Sequence, residues 1–302
     1  MQILVTGGTG FIGSALCEAL TEKNHQVIVL SRFPKKVNPL LTAISSLDEI
    51  SIEQEIDAVI NLAGEPIAAK RWSAAQKHKI RTSRLETTKS LIDFLSSRDK
   101  KPEVFISGSA IGYYGINLPN EDKNDNLVGE NAKGDDSFSS QLCQDWETIA
   151  LQAEQLGIRT CLLRTGVVLG SKGALARMLP PFKLCLGGKI GSGNQWMPWI
   201  HIKDILGIII HCLEKENIQG PINAVAPNPI NNAEFTQSLG KTINRPTPLP
   251  MPSLAVKLLM GQMGEELLLS GKQVIPQKIL NSEYVFEFEL LNEALRDILL
   301  TD

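Results

Sequence analysis

The sequence opens with the feature that most constrains its fold, a glycine-rich stretch over residues 6–13 that reads TGGTGFIG. A short apolar run at residues 2–5 precedes it, and such a run predicts a strand buried in a parallel sheet. The pattern of residues 14–20, which follows, predicts the start of a helix. Glycines between a strand and a helix are typical of a dinucleotide-binding turn, so the context favours that interpretation over a turn with no ligand.

Each glycine of this stretch has a separate physical task. Gly7 or Gly8 permits a tight turn at the end of the strand. Gly10 leaves no side chain between the backbone and a pyrophosphate, and Gly13 lets the helix pack close to the sheet. The helix N-terminus then directs unpaired N–H groups and its positive dipole end at the phosphates. The predicted cofactor contacts in this turn are Gly7, Thr9, Gly10, Phe11, Ile12 and Gly13.

Strand and helix patterns alternate along the first 165 residues. Strand patterns lie at residues 26–30, 57–64, 104–107 and 160–164, helical patterns lie at 73–97 and 137–156, and a last strand pattern lies at 220–225. This alternation predicts an α/β fold with a doubly wound parallel sheet. We expect a dinucleotide-binding domain of residues 1–165 plus about 200–226, and a smaller, partly helical cap of about 166–199 plus 227–302.

Composition excludes several other classes of protein. The chain has 302 residues, 43% hydrophobic, and a formal net charge of −3, so no basic surface indicates a nucleic-acid partner. The five cysteines form no C-x-x-C pair, the N-terminus has no secretory pattern, and the apolar stretch 205–213 is too short to span a bilayer. We therefore expect a cytoplasmic protein with no membrane partner and no metal site, whose oligomeric state stays open.

The residues after the second predicted strand indicate which dinucleotide is bound. An NAD-binding unit usually carries Asp or Glu there to hold the ribose hydroxyls, but no acid occurs at residues 23–47. Ser31 and Arg32 follow the strand instead, and an arginine can pair bidentately with a 2′-phosphate. Lys35 and Lys36 either add to this positive charge or are solvated loop residues. The predicted cofactor is therefore NADP(H), and NAD is disfavoured.

Three further segments supply candidate site residues. Leu62-Ala63-Gly64 forms a small-residue loop after a buried strand, which lets the backbone approach an adenosine or a ribose. Arg84 lies on the basic side of the helix pattern 73–97, where it either belongs to a solvated face or reaches the cofactor. Ser109 lies at the carboxyl end of a central strand, where open α/β sheets bind their ligands.

Longer motifs give a resemblance that covers essentially the whole chain. In order, they are residues 6–13, Asn61-Leu62-Ala63-Gly64-Glu65-Pro66-Ile67, Gly112-Tyr113-Tyr114-Gly115, residues 163–170, Met178-Leu179-Pro180-Pro181-Phe182, Gly191-Ser192-Gly193 and residues 200–204. Together they resemble the extended short-chain dehydrogenase/reductase superfamily. Within it they are similar to NAD-dependent epimerase/dehydratase proteins of the YfcH type, which carry an added C-terminal domain of unknown function.

The resemblance implies a Rossmann domain that binds NADP(H). By matching position, it implies cofactor contacts at the glycine turn, Ser31, Arg32, Leu62, Ala63 and Arg84. It also implies that Val167 or Val168 lies beside the nicotinamide. The positive charge of Arg32 after the second predicted strand indicates the same cofactor independently of this resemblance.

The same resemblance implies that the usual acid and its lysine are missing. Relatives with known chemistry use a tyrosine as acid/base, a lysine four residues later, and a Ser or Thr that orients the substrate oxygen. Ser109 matches the last role, but the tyrosine position falls on Ser139 and the lysine position on Cys143. Tyr113 or Tyr114 is a candidate replacement for the acid. Cys143 is either a nucleophile or a buried structural cysteine on a helix stripe.

Three functions are compatible with these residues. The first is an NADP-dependent reductase or epimerase that acts on an unidentified small molecule with a rewired proton relay. The glycine-rich loop at residues 187–194 and the Trp-Met-Pro-Trp stretch at 196–199, which could line a pocket, favour it. The second is a non-catalytic NADP(H)-binding sensor or interaction protein. The third is a structural role without a cofactor, which the intact glycine turn argues against.

Overall fold

Seven strands form one wholly parallel sheet. The computed structural model describes residues 1–116 and 127–300. The strands are β1 Gln2–Thr6, β2 Gln26–Leu30, β3 Thr42–Ile44, β4 Ala58–Asn61, β5 Val104–Ala110, β6 Leu127–Val128, β7 Arg159–Thr165, β8 Val167–Leu169, β9 Trp199–His201, β10 Gly220–Ala224 and β11 Gln273–Val274. The helices are α1 Phe11–Glu22, α2 Ala74–Ser96, α3 Phe138–Ala150, α4 Gly173–Lys183, α5 Ile202–Glu214, α6 Asn232–Thr242, α7 Ser253–Met260, α8 Gln262–Leu268, α9 Gln277–Asn281 and α10 Leu291–Leu300. None of these described helices is long and apolar enough to cross a membrane.

The sheet has the strand order β3-β2-β1-β4-β5-β7-β10. Val5 of β1 lies opposite Val29 on one side and opposite Ile60 on the other. From β1 the chain winds outwards to β2 and β3, and then returns to continue with β4 on the other side of β1. The winding therefore reverses between β1 and β4, which is where open α/β sheets bind ligands at the carboxyl ends of their strands. The predicted doubly wound parallel sheet is confirmed.

Helices cover both faces of the sheet and bury its apolar side chains. On one face, α1 and α5 pack on a cluster that includes Ile3, Val5 and Ile60. On the other face, α2 and α3 pack on a cluster that includes Leu4 and Val59. Because both faces are covered, the strands are apolar at nearly every position, and this continuous pattern is what predicts them.

A third apolar cluster lies under α4, α6 and α10. Its buried members include Leu169, Leu175, Phe182, Trp199, Phe235, Leu239, Phe288, Leu291 and Leu295. Ile279 and Phe286, which also belong to the C-terminal segment, join the cluster of α1 and α5 instead. The division into a dinucleotide-binding domain and a cap stays a prediction, because the C-terminal segment contributes to more than one cluster.

One helix contains two prolines, and another ends earlier than predicted. Helix α4 begins at Gly173 and includes Pro180 and Pro181 in its last turn. A proline removes a backbone donor but not an acceptor, and the Pro180 carbonyl accepts the Leu184 N–H at 3.2 Å, so the last turn still closes. The helix predicted over residues 137–156 is α-helical only as far as Ala150, after which it tightens into a 3₁₀ turn over Leu151–Leu156.

Candidate cofactor and active site

The glycine stretch folds into the tight turn between β1 and α1. Gly7 has a φ of +74°, and a Cβ there would lie 2.6 Å from the carbonyl oxygen of Leu62. A Cβ on Gly13 would lie 2.2 Å from the carbonyl oxygen of Gly7, so the helix approaches the turn backbone against backbone. The Gly10 N–H donates to the same oxygen at 2.9 Å and closes the turn.

The N-terminus of α1 carries no negative charge of its own. Gly10 is the N-cap residue, so no side chain caps the helix, and its first turn contains no acidic residue. The N–H groups and the helix dipole therefore favour an anion at this end, and a pyrophosphate meets that requirement. Ile12 packs its side chain against the core, and the Phe11 ring lies against Gly170, where a Cβ would be 2.6 Å from Cζ of Phe11. The contacts of Phe11 and Ile12 with a cofactor stay predictions.

A cleft of about 310 Å³ opens beside the turn, at the crevice between β1 and β4. Its lining consists of Thr6, Gly7, Thr9, Gly10, Leu30, Ser31, Arg32, Phe33, Ser45, Leu62, Ala63, Gly64 and Thr87. The structure therefore brings together the candidate cofactor residues that follow β1, β2 and β4. No residue in this lining is acidic.

Arg32 offers the cleft a positive charge. Its side chain is exposed and makes no hydrogen bond or ion pair with residues 1–116 or 127–300, although the guanidinium lies 6.0 Å from the centre of the Phe33 ring. Ser31 is buried, and its Oγ accepts the Phe33 N–H at 3.1 Å, which leaves the hydroxyl proton to donate. A guanidinium beside a hydroxyl donor is suited to a phosphate group.

A buried chain of hydrogen bonds fixes the loop after β4. Thr6 Oγ1 donates to Asn61 Oδ1 at 2.7 Å and accepts the Ala63 N–H at 3.2 Å. Asn61 Nδ2 donates to Thr88 Oγ1 at 2.8 Å, and Trp146 Nε1 donates to the same hydroxyl at 2.9 Å. The loop is therefore held to β1, α2 and α3 by buried groups.

Arg84 lies under this loop rather than on a solvated face of α2. Its Nη1 donates to the carbonyl oxygens of Glu65 and Ile80, each at 3.0 Å. The guanidinium lies 5.2 Å from the Trp146 ring centre, and a Cβ on Gly64 would be 2.9 Å from its Cζ. Burial lowers the pKa of Arg84, but a guanidinium keeps its charge in proteins. Nε and Nη2 donate to nothing within the described residues, but Arg84 is not among the residues that line the cleft, so its contact with the cofactor stays a prediction.

Val167 and Val168 lie in β8, directly beyond the carboxyl end of β7. Both are half-buried. They stand opposite Trp199 and Ile200 of β9 in a separate parallel pair. Their contact with a nicotinamide stays a prediction.

A buried ion pair lies behind Ser109 at the end of β5. Arg164 binds Glu147 bidentately, with 2.9 Å between Nε and Oε1 and 2.8 Å between Nη2 and Oε2. The Ser109 hydroxyl donates to Glu147 Oε1 at 2.6 Å. Burial opposes the charge on Arg164, but the hydrogen bonds and charge of Glu147 outweigh it and raise the pKa of Arg164. Because the carboxylate accepts the Ser109 proton, the hydroxyl oxygen keeps its lone pairs as acceptors, and its contact with a substrate stays a prediction.

The two candidate tyrosines have different surroundings. Tyr114 is fully buried, and its hydroxyl donates to Asn223 Oδ1 at 2.6 Å and accepts from Arg164 Nη1 at 3.0 Å. Burial raises the pKa of Tyr114 to about 12. Tyr113 is half-buried, its ring centre lies 3.4 Å from the Arg164 guanidinium, and its hydroxyl has no hydrogen-bond partner in the part of the chain that is described. Only Tyr113 keeps an available hydroxyl.

Ser139 and Cys143 lie on the buried side of α3. The Ser139 hydroxyl donates to the carboxylate of Glu266. Burial raises the pKa of the Cys143 thiol to about 11, and such a thiol is a poor nucleophile near neutral pH. These surroundings favour the structural interpretation of Cys143.

Three buried residues of these networks were not predicted from the sequence. They are Glu147, Asn223 and Glu266. Each is buried and supplies the acceptor oxygen for one of the candidate hydroxyls. Glu147 carries a signal in the sequence, since an acid on the apolar stripe of a helix needs a buried partner. Asn223 and Glu266 carry none, because their partners lie 109 and 127 residues away along the chain.

The fold and the glycine turn define a Rossmann-type nucleotide-binding protein with a C-terminal extension. The family model described as "NAD dependent epimerase/dehydratase family" matches residues 3–225. The model described as "Domain of unknown function (DUF1731)" matches residues 251–298. The chain therefore belongs to the NAD dependent epimerase/dehydratase family, and the predicted family and its added C-terminal domain are confirmed.

Relatives of the same length come from distant organisms. The epimerase family protein SDR39U1 of Homo sapiens is 38% identical over 303 residues, which cover 99% of each chain. The epimerase family protein YfhF of Bacillus subtilis is 36% identical over 304 residues, which cover 99% of this chain and 98% of the relative. The crystal structure of human SDR39U1 (isoform 2) with NADPH is similar over 100% of both chains, with a TM-score of 0.88 and 37% identity.

Proposed function

We propose that the chain binds NADP(H), with the pyrophosphate at the N-terminus of α1 and the adenosine 2′-phosphate at Ser31 and Arg32. The observation that carries this proposal is the position of the Arg32 guanidinium. It forms no hydrogen bond or ion pair within residues 1–116 and 127–300, and no acid from these ranges lines its cleft. NAD-binding units place a carboxylate here, and a carboxylate would repel a 2′-phosphate. A relative with 37% identity was crystallised with NADPH, which supports the same cofactor in this chain.

Calorimetric titration with NADPH and NADH tests the cofactor. We expect NADPH to bind at least about tenfold more tightly, because Arg32 forms charge-assisted hydrogen bonds with the additional phosphate. Arg32→Ala should weaken NADPH binding alone and thereby remove most of the preference. Lys35→Ala is the matched control, since Lys35 is an exposed charge on the same segment that does not line the cleft. Equal affinities of the wild-type protein for the two cofactors would overturn the proposal.

We further propose that the protein is a reductase or epimerase in which Tyr113 donates the proton. Bound NADPH supplies a hydride to a carbonyl carbon of the substrate. Tyr113 is suited to protonate the carbonyl oxygen, because its hydroxyl has no partner among residues 1–116 and 127–300 and its ring is held against Arg164. Ser109 accepts a hydrogen bond from a substrate hydroxyl and so orients the small molecule.

A specific observation favours a second candidate, a sensor or interaction protein that binds NADP(H) without catalysis. Ser109, Tyr114, Ser139 and Cys143 are all buried and engaged with other protein groups. None of the four lines the cleft at the glycine turn. A protein of this second kind has an intact cofactor site, while the four side chains that were candidates for catalysis stabilise the fold.

Two readouts over a panel of carbonyl compounds and nucleotide sugars separate the two candidates. Net oxidation of NADPH reports a reductase, whereas chromatographic analysis of the sugars reports an epimerase, which returns the hydride and leaves the amount of NADPH unchanged. For the enzyme, we expect turnover of at least one compound and a loss of about 100-fold or more in Tyr113→Phe, with unchanged NADPH affinity. Tyr114→Phe is the matched control, because the enclosed Tyr114 hydroxyl cannot reach a substrate. Turnover that survives in Tyr113→Phe would refute the role of Tyr113. Tight NADPH binding with no turnover across the panel would favour the sensor.

A further inference from the structure

The N-terminus of α3 is capped by the C-terminal domain rather than by its own sequence. Its N-cap residue, Ser137, makes no side-chain capping bond, and its first turn contains no acidic residue. Glu266 of α8 supplies the missing acceptors. Its Oε2 accepts the Ser139 N–H at 2.9 Å and the Ser139 hydroxyl, and its Oε1 accepts the Phe138 N–H at 3.3 Å. The Glu266 residue is only 8% exposed, so the capping carboxylate is enclosed by the fold.

Helix α8 also reaches α2. Gln262 Nε2 donates to Glu266 Oε1 at 2.8 Å, while Gln262 Oε1 accepts from Lys77 Nζ of α2. Met263 of α8 packs in an apolar cluster with Ile80 of α2 and Leu142 of α3. The C-terminal domain thus joins α2 and α3 near their N-terminal ends through polar and apolar contacts together.

Further along, α2 and α3 carry the groups that frame one half of the proposed cofactor site. Arg84 of α2 stacks on Trp146 of α3, and Trp146 also lies against Gly108 of β5, where a Cβ would be 2.9 Å from its ring. Glu147 of α3 holds Ser109. With the 2′-phosphate assigned to the end of β2 and the pyrophosphate to the turn after β1, the nicotinamide half lies on the β4 and β5 side of the sheet. A shift of α3 would therefore alter this half of the site, together with the loop after β4 that Trp146 helps to hold, and leave the contacts of Ser31 and Arg32 with the 2′-phosphate in place.

We infer that the C-terminal domain is a positioning element for the nicotinamide half of the site, and that Glu266 is the residue through which it acts. The inference rests on the proposed NADP(H) binding. Glu266 holds α3 in the position that the nicotinamide half requires. By linkage, occupancy of that half must in turn stabilise the contact of α8 with α3, since a coupling free energy acts equally in both directions.

Two ligands of different length test this inference. NADPH fills both halves of the site, whereas 2′,5′-ADP carries the adenosine and the 2′-phosphate without the nicotinamide half. In Glu266→Gln, which keeps the shape of the side chain but removes its charge, we expect the Kd for NADPH to rise about tenfold while the Kd for 2′,5′-ADP stays within about twofold. Glu265→Gln is the matched control, since Glu265 is the neighbouring residue of α8 but pairs with Lys257 instead of α3. The control should leave both constants unchanged.

Hydrogen–deuterium exchange of the wild-type protein gives a readout that needs no variant. We expect saturating NADPH to slow exchange in α8 and in the first turn of α3, and 2′,5′-ADP to leave both unchanged. Unaltered exchange in α8 with NADPH bound, or an equal loss of affinity for both ligands in Glu266→Gln, would overturn the inference and leave Glu266 a merely structural cap. A wild-type protein that binds no NADPH would instead overturn the proposed function, and the inference with it.

Discussion

Tyr113 and Tyr114 are neighbours in the sequence, yet their hydroxyls have opposite energetic roles. In Tyr114→Phe, Asn223 Oδ1 and Arg164 Nη1 each lose a buried partner. We expect this change to lower the free energy of unfolding by about 1–3 kcal/mol. Tyr113→Phe removes a hydroxyl with no partner in residues 1–116 and 127–300, so its effect should stay below about 0.5 kcal/mol. Urea denaturation at pH 7 measures both values, and equal losses would contradict the assigned networks.

Gly13 is the glycine whose replacement meets backbone at the shortest distance in the turn. An added Cβ would lie 2.2 Å from the Gly7 carbonyl oxygen, and neither backbone segment can move without separating α1 from β1. We expect Gly13→Ala to destabilise the fold by about 3 kcal/mol and to abolish NADPH binding. Gly129→Ala is the matched control, because among the described residues other than its chain neighbours no heavy atom lies within 4 Å of the added Cβ. Thermal unfolding and titration with NADPH measure the stability and the cofactor affinity of both variants. Similar melting temperatures for the two variants would refute this account of the turn.

At the scale of elements, the central strands follow from the sequence and the smaller pairings do not. β2 spans Gln26–Leu30 as predicted, because a strand covered on both faces is apolar at nearly every position. β8 and β9 have three residues each, which is too short for a local pattern, and they pair where Leu169 and Trp199 pack in the cluster under α4, α6 and α10. The sequence also does not predict that Glu266 accepts hydrogen bonds at the N-terminus of α3, since Glu266 comes close to Ser139 only after the chain has folded. The sequence predicts local steric limits and burial patterns. It does not show which residues far apart along the chain form hydrogen bonds with each other.

Helix α5 begins at a histidine whose charge decides whether the helix is capped. His201 Nδ1 accepts the Lys203 N–H at 3.2 Å, and Nε2 lies 3.2 Å from Asp297 Oδ2. Burial lowers the pKa of His201 to about 4, although Asp297 opposes the shift. The unfolded chain binds a proton below its ordinary pKa of about 6.5, and the folded chain only below about 4. The contribution of His201 to stability is therefore fully present above pH 6.5 and is lost as the pH falls towards 4.

His201→Gln isolates this contribution, because glutamine keeps an acceptor for the Lys203 N–H and does not titrate. Between pH 6.5 and pH 4, we expect the wild-type protein to lose up to about 3 kcal/mol more unfolding free energy than the variant. Burial raises the pKa of Asp204 nearby, but this effect is common to both proteins and cancels in the difference. Urea denaturation across this pH range gives the two profiles. Parallel profiles would show that His201 does not cap α5 in its neutral form.

At the scale of the whole molecule, the C-terminal domain is part of the apolar core. Ile279 and Phe286 complete the cluster beneath α1 and α5, while Phe288, Leu291 and Leu295 complete the cluster under α4 and α6. Burying one such side chain contributes about 1.5–3 kcal/mol, so the group together matches the net stability of a typical domain. The alternation of strands and helices predicts the sheet. It does not predict that residues of the C-terminal domain complete these apolar clusters, because that depends on how distant segments pack together.

A chain that ends at residue 250 should therefore lose its cooperative unfolding, because each cluster is left with an uncovered apolar face. We expect the full chain to show one thermal transition, coincident by circular dichroism and tryptophan fluorescence, and the truncated chain to bind a hydrophobic dye and melt without a defined transition.

Within the full chain, Leu295→Ala should lower the free energy of unfolding by about 2–5 kcal/mol, because Leu295 is buried. Leu258→Ala should change it almost not at all, because Leu258 is exposed, and it controls for the loss of a leucine as such. A truncated chain that melted cooperatively near the temperature of the full chain would mean that the C-terminal domain docks onto a finished sheet domain. In that case, the cap that Glu266 places on α3 would belong to a separable interface rather than to one folding unit.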